Sequence, residues 1–143
     1  MNRRTRKKLV QRLVEAAMFG EPADVRRLLA AGAPAESADR DGTTPLYAAS
    51  VHGAAESAVL LLAAGAQPGT ESAGVGAEGT PLCAACAWGH EDTVRVLLGH
   101  GADPNQREDH GSGNSPLYWA SSGPYPGTVA VLRAAGAVDD VTP

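Results

Sequence analysis

A short phrase recurs through this chain in register, and that recurrence constrains the fold more than any other feature. Thr44-Pro45-Leu46 returns as Thr80-Pro81-Leu82 and, softened, as Ser115-Pro116-Leu117. A threonine or serine followed by proline is a helix start: the hydroxyl caps the open N–H groups and proline presets the first turn. A second phrase closes each unit: Ala31-Gly32-Ala33, Ala64-Gly65-Ala66, Gly101-Ala102 and Ala135-Gly136-Ala137. The intervals between these stop glycines are 33, 36 and 35 residues. The clearest copy runs from Gly79 to Asn105. It reads as a turn, a short helix, a Gly89-His90 corner and a second helix ending in Leu97-Leu98 before the stop.

A period of about 33 residues with T-P-L and two helices per unit resembles the ankyrin repeat. The resemblance spans Leu9 to Ala137. It implies an all-α solenoid of stacked helix-turn-helix units with protruding loop or β-turn fingers, and a non-catalytic module that binds a protein partner. The expected organisation is a basic arm over residues 1–8 and a repeat domain over 9–143, with units of about 9–40, 41–76, 77–111 and 112–143. Where the family usually places a histidine after the leucine, this chain has Tyr47, Cys83 and Tyr118. The departure removes the histidine that makes the family's cross-repeat hydrogen bond, for which a tyrosine hydroxyl is a partial substitute.

The first unit lacks the proline cap, since Gln11 and Arg12 fill those slots. One longer helix over Thr5–Phe19 is expected, burying Leu9, Leu13, Ala16 and Ala17, with Pro22 opening its partner and Val25, Leu28 and Leu29 buried. Arg26 and Arg27 keep the outer side of this capping unit polar. In the second unit Leu46, Ala49, Ser50, Ala58, Leu61 and Leu62 face inward; in the third, Val94, Leu97 and Leu98 do. The glycine-rich loop after Gly65 is expected to form a mobile finger tip. In the fourth unit Gly123-Pro124-Tyr125-Pro126-Gly127 replaces the corner. The first helix is expected to end early there and the second to begin near Thr128, carrying Val129, Leu132 and Arg133. An arginine at that last position requires a wet outer side, which marks the closing cap.

The formal net charge of −4 is unevenly spread. Residues 1–12 hold six basic groups and no acid; the remaining 131 hold six basic groups against sixteen acids, a balance of −10. The segment after the arm carries Gln11, Arg12 and Glu15, so it reads as neither a signal-peptide core nor a membrane span. With two cysteines there is no disulfide framework, and a reducing cytoplasm is the expected location. The abundance of Ala, Gly, Arg and Pro points to a GC-rich, bacterial coding sequence. A monomer is expected.

Cys83 and Cys86 form a C-x-x-C, but repeat register argues against metal or redox chemistry. Cys86 aligns with Ala17, Ser50 and Ser121, a slot that takes small residues, and Cys83 with Val14, Tyr47 and Tyr118. A structural zinc site needs four ligands, and the sequence offers no second pair. His52, His90, His100 and His110 are scattered; His90 is expected to bond backbone at its corner, and His100 suits a helix C-terminus. With no nucleophile–base pair or phosphate cradle, no enzyme activity, cofactor, metal or small-molecule substrate is expected.

The candidate binding residues follow from the resemblance, which assigns partner contact to the finger tips and the outer ends of the first helices. Phe19, His52 and Trp88 share one register position before the corner glycine, with Met18, Val51 and Ala87 in the preceding column. Two readings stand: a contiguous anchoring row across a concave face, or local packing of Phe19 and Trp88 over their own corners. The adjoining tips add Arg40, Asp41, Thr43, Glu78, His110 and Asn114. Trp119 is expected to cover the open end of the stack, the second reading being that it extends the binding surface. The alternative is nucleic-acid or anionic-surface association through Arg3, Arg4, Arg6, Lys7 and Lys8.

Overall fold

The computed structural model describes residues 1–74, 76 and 78–139. Among these lie eight α-helices: α1 (Arg3–Phe19), α2 (Pro22–Ala30), α3 (Pro45–Val51), α4 (Ala55–Ala63), α5 (Pro81–Ala87), α6 (Glu91–Gly99), α7 (Pro116–Ser122) and α8 (Pro126–Ala134). They form two layers. The first helices of the pairs pack in a row, α1 on α3, α3 on α5 and α5 on α7, while α2, α4, α6 and α8 form a parallel row behind them. The result is an all-α solenoid of four helix pairs, with loops projecting between them. An isolated antiparallel bridge, Ser72 with Gly79, ties the base of the second finger. Val75 and Ala77, in the tip expected to be mobile, lie outside the described residues.

Each start signal works as its chemistry dictates. Thr44, Thr80 and Ser115 accept the backbone N–H three residues on, at 3.2, 3.1 and 3.1 Å. The first helix starts earlier than Thr5 because Asn2 caps it, accepting from the Thr5 N–H at 2.8 Å. Residues 3–8 are therefore helical and exposed.

Each stop is a complete C-terminal motif. Gly32, Gly65, Gly101 and Gly136 take φ of +97°, +108°, +94° and +102°, which L-residues with a Cβ rarely adopt. The alanine after each glycine donates its N–H back to a buried leucine carbonyl: Leu28, Leu61, Leu97 and Leu132. The same alanines are buried against the core, so the turn that ends the helix also fills the layer between units.

The core is one continuous seam of small inner-helix residues and outer-helix leucines and valines, including Leu13, Ala49, Leu61, Ala85, Leu97, Ala120 and Leu132. Some expectations change: Leu29 and Leu98 pack against the core but are only half-buried. In α1 the buried stripe is Val10, Leu13, Val14 and Ala17, with Leu9 and Ala16 only half-buried. The helix packs on both α2 and α3, which rotates its apolar face. The fourth unit is not shortened: α7 matches α3 and α5 at 7 residues. Its partner starts at Pro126, where proline takes the first helical position, and buries Thr128 and Leu132. Arg133 is exposed and pairs with Asp139 at 2.8 Å, so the outer side of this unit is wet.

Candidate partner-binding surface

Phe19 is the last residue of α1, and His52 and Trp88 are the C-caps of α3 and α5, so the three share one register position at the ends of the inner helices. Phe19 is 80% exposed and Trp88 62% exposed. His52 lies between them in register, and its ring meets that of Phe19 at a centroid distance of 6.1 Å. Met18, Val51 and Ala87 are half-buried beneath this row.

The corners beneath the row are closed from the neighbouring unit. Gly53 and Gly89 have φ of +69° and +68°. The His90 ring lies against Gly53, and its Nε2 meets the Val51 carbonyl at 2.9 Å. Tyr125 lies against Gly89 in the same manner. The bond expected of His90 is thus made, but it crosses between units rather than staying within one. Tyr125 occupies the matching place in the fourth unit, and this was not evident from its proline-rich surroundings.

The finger residues divide. Arg40, Asp41, Glu78 and His110 are exposed, and Asn114 is half-buried. Thr43 is buried beneath its loop, its N–H donating to Asp39 at 3.0 Å, which takes it off the surface. His110 is tied to the preceding finger: Nδ1 lies 2.9 Å from Glu71, and its N–H also donates to that carboxylate. Further links run between fingers. Ala73 N–H donates to Gly42 O at 2.9 Å, Ser72 Oγ accepts from Thr44 N–H at 3.2 Å, and Gln106 donates to Gly69 O at 2.9 Å. In the slot of the family's histidine, Cys83 directs its thiol to the Gln106 and Asn114 carbonyls of the following finger at 3.9 and 3.8 Å, so a weak cross-repeat bond persists there.

Beside Trp88 the surface sinks into a cleft of about 440 Å³ lined by Tyr47, Cys83, Trp88, Glu108, Trp119 and Tyr125, among others. Trp119 lines this cleft instead of covering the end of the stack. Its indole N–H donates to Glu108 at 3.0 Å, and its ring stands edge-on to Tyr118 at 5.4 Å. Burial raises the Glu108 carboxyl above its ordinary range; the Trp119 bond opposes this, and Asp109 and Glu71 add to it. Burial likewise raises the Tyr47 phenol, helped by Glu108 and Glu78. Trp119 and Glu108 are absent from the residues chosen by sequence. Repeat register did flag Trp119, where other units hold small residues or Glu15.

Cys83 and Cys86 are buried and not in a disulfide. Burial, and secondarily Cys83, drives the Cys86 thiol far up, which suppresses the reactive thiolate. Among the described residues no cluster of three or more His, Cys, Asp or Glu is arranged to hold a metal, and no helix is long and apolar enough to cross a membrane.

Four helix pairs with capped starts, glycine stops and linked fingers are the geometry expected of stacked repeats. Residues 82–132 match the family model for ankyrin repeats in many copies. Over these residues the chain belongs to the ankyrin-repeat family. Ankyrin repeats are in general protein-interaction modules without catalytic activity. Protein PhlB of Serratia liquefaciens is 35% identical over 106 residues, covering 74% of this chain and 45% of the relative. The ankyrin-repeat chain thus spans a little under half the length of this curated relative.

Proposed function

We propose that this chain is a non-catalytic recognition module that holds a protein partner against the inner-helix row and the exposed finger tips. The observation that carries the reading is the row itself: Phe19 and Trp88 are large, apolar and exposed at one level of a stack whose other apolar side chains are mostly buried. Aromatic anchors of this kind supply a disproportionate share of interface energy. The helices that present them are fixed by cap, stop and cross-unit bonds, so little ordering entropy opposes binding. Met18, Val51 and His52 continue the row, while Arg40, Asp41, Glu78, His110 and Asn114 supply polar selection around it. The reading carries no catalytic step and places the chain in the cytoplasm as a monomer.

The test is affinity capture from a lysate with wild type beside a Phe19→Ala/Trp88→Ala variant, followed by affinity measurement with the captured protein. Trp88→Ala is expected to leave folding intact and weaken binding by about 2 kcal/mol or more. Unchanged affinity overturns the assignment, as does a large loss of stability.

One observation favours a second reading. The basic start of α1 does not stand alone: Arg3, Arg6, Lys7 and Lys8 share a groove of about 830 Å³ with Arg40 of the first finger, where Glu15 and Asp39 are the only acids in the lining. Cationic groups converging from two elements suit a polyanion or an anionic surface. This reading predicts binding that falls steeply with salt and disappears on deleting residues 1–8. Binding of a phosphate polymer that is indifferent to salt or survives the deletion counts against it.

A further inference from the structure

The cleft beside Trp88 is chemically distinct from the row that leads to it. Its lining is aromatic, from Tyr47, Trp88, Trp119 and Tyr125, and it contains one carboxylate, Glu108. That carboxylate accepts the Trp119 indole N–H at 3.0 Å. Among the described residues none of the ion pairs includes it. The two nearest cationic candidates in sequence are engaged elsewhere. Arg107 donates to the Gly113 carbonyl at 2.7 Å, and His110 pairs with Glu71. Asp109 and Glu71 add negative charge near it. A half-buried carboxylate among aromatic rings, with no cation of its own chain, is an incomplete site.

Three kinds of side chain can enter from a partner, and the lining discriminates among them. An acidic group meets Glu108 with repulsion. An apolar group takes solvent from the carboxylate and returns no hydrogen bond. A cationic group satisfies the carboxylate, and its charge is attracted to the negative faces of the rings. The body after residue 12, at −10, further favours approach of a basic segment.

Resting on the recognition surface proposed above, we propose that this cleft receives one lysine or arginine side chain of the partner protein. Its cationic head sets against Glu108 and its stem lies on the aromatic lining. The row of Phe19, His52 and Trp88 then anchors apolar residues of the same segment, and the cleft fixes its register.

The chain has two tryptophans, Trp88 and Trp119, so its two indole N–H signals in a proton–nitrogen spectrum report on the cleft from both sides. Blocked tripeptides with lysine, norleucine or glutamate at the centre are titrated onto the full chain. The lysine peptide is expected to move the Trp119 signal saturably, and the norleucine and glutamate peptides to leave it in place. Glu108→Gln, which keeps an oxygen for the Trp119 bond, is expected to weaken the lysine peptide about tenfold or more. An equal response to norleucine overturns the proposal, as does undiminished lysine binding by Glu108→Gln in a chain whose remaining spectrum is unchanged. The broader reading fails separately: a Phe19→Ala/Trp88→Ala variant that still holds the captured partner at full affinity removes the recognition row, whatever the peptides do.

Discussion

Glu108 ties stability to pH in a direction opposite to that of a salt-bridged carboxylate. Burial raises its native pKa, so the folded chain holds this proton more tightly than the unfolded chain does. The stability it contributes is complete below the unfolded glutamate range, about 4.3, and is lost as pH rises through the raised native value. Glu108→Gln should therefore melt above wild type at neutral pH, and the difference should close on acidification below about pH 4. Thermal melts of both proteins across a pH series check this; a gap that widens in acid contradicts it. The cysteines illustrate register at the same scale. Cys86 sits in a slot kept small by inner-helix packing and is fully buried, so a thiol reagent should find it only as the chain unfolds. Reaction in the native state at the rate of an exposed thiol contradicts this.

At the scale of the element, the corners are the most exacting points. Gly89 combines a positive φ with a tyrosine ring from the next unit against its Cα. Gly89→Ala should destabilise by about 1–3 kcal/mol, because backbone strain and displacement of Tyr125 act together. Gly65→Ala has open space around it and should cost only the strain. Denaturant melts of the two variants separate these contributions; equal losses remove the ring from the explanation. What was legible in the sequence divides along the same line between local and distant. Caps and stops are local chemistry, so Thr44, Thr80, Ser115 and the four stop glycines placed the helices within a residue or two. Asn2 went unread because it lies inside a run of charge, and Pro126 because it sits in a proline-rich corner. The apolar face of α1 depends on two neighbouring helices, so choosing its leucines by pattern missed Val10 and Val14. The row Phe19–His52–Trp88 followed from register alone. The Glu108–Trp119 cleft did not, because it joins a finger to a helix of the following unit.

For the whole molecule, each helix pair packs chiefly on its sequence neighbours, which gives a one-dimensional chain of interfaces. The two ends differ. The first unit presents a 17-residue helix to its neighbour, whereas the last presents 7 residues and a half-exposed outer helix. Loss of structure should begin at the fourth unit and leave the second and third protected longest. Amide hydrogen exchange resolved by segment checks this: protection in α4 and α6 should exceed that in α8. Uniform protection would mean that the units unfold as one.

The ring over the corner glycine gives the stack a direction. His90 closes Gly53 and Tyr125 closes Gly89, so each of these units is sealed by the one that follows it in the chain. A protein is synthesised from its N-terminus, and its units become available in that order. A nascent chain therefore carries one unfinished corner at its growing end until the next unit emerges. Release from the ribosome before Tyr125 is made would leave Gly89 uncovered beside Trp88, on the surface proposed for recognition.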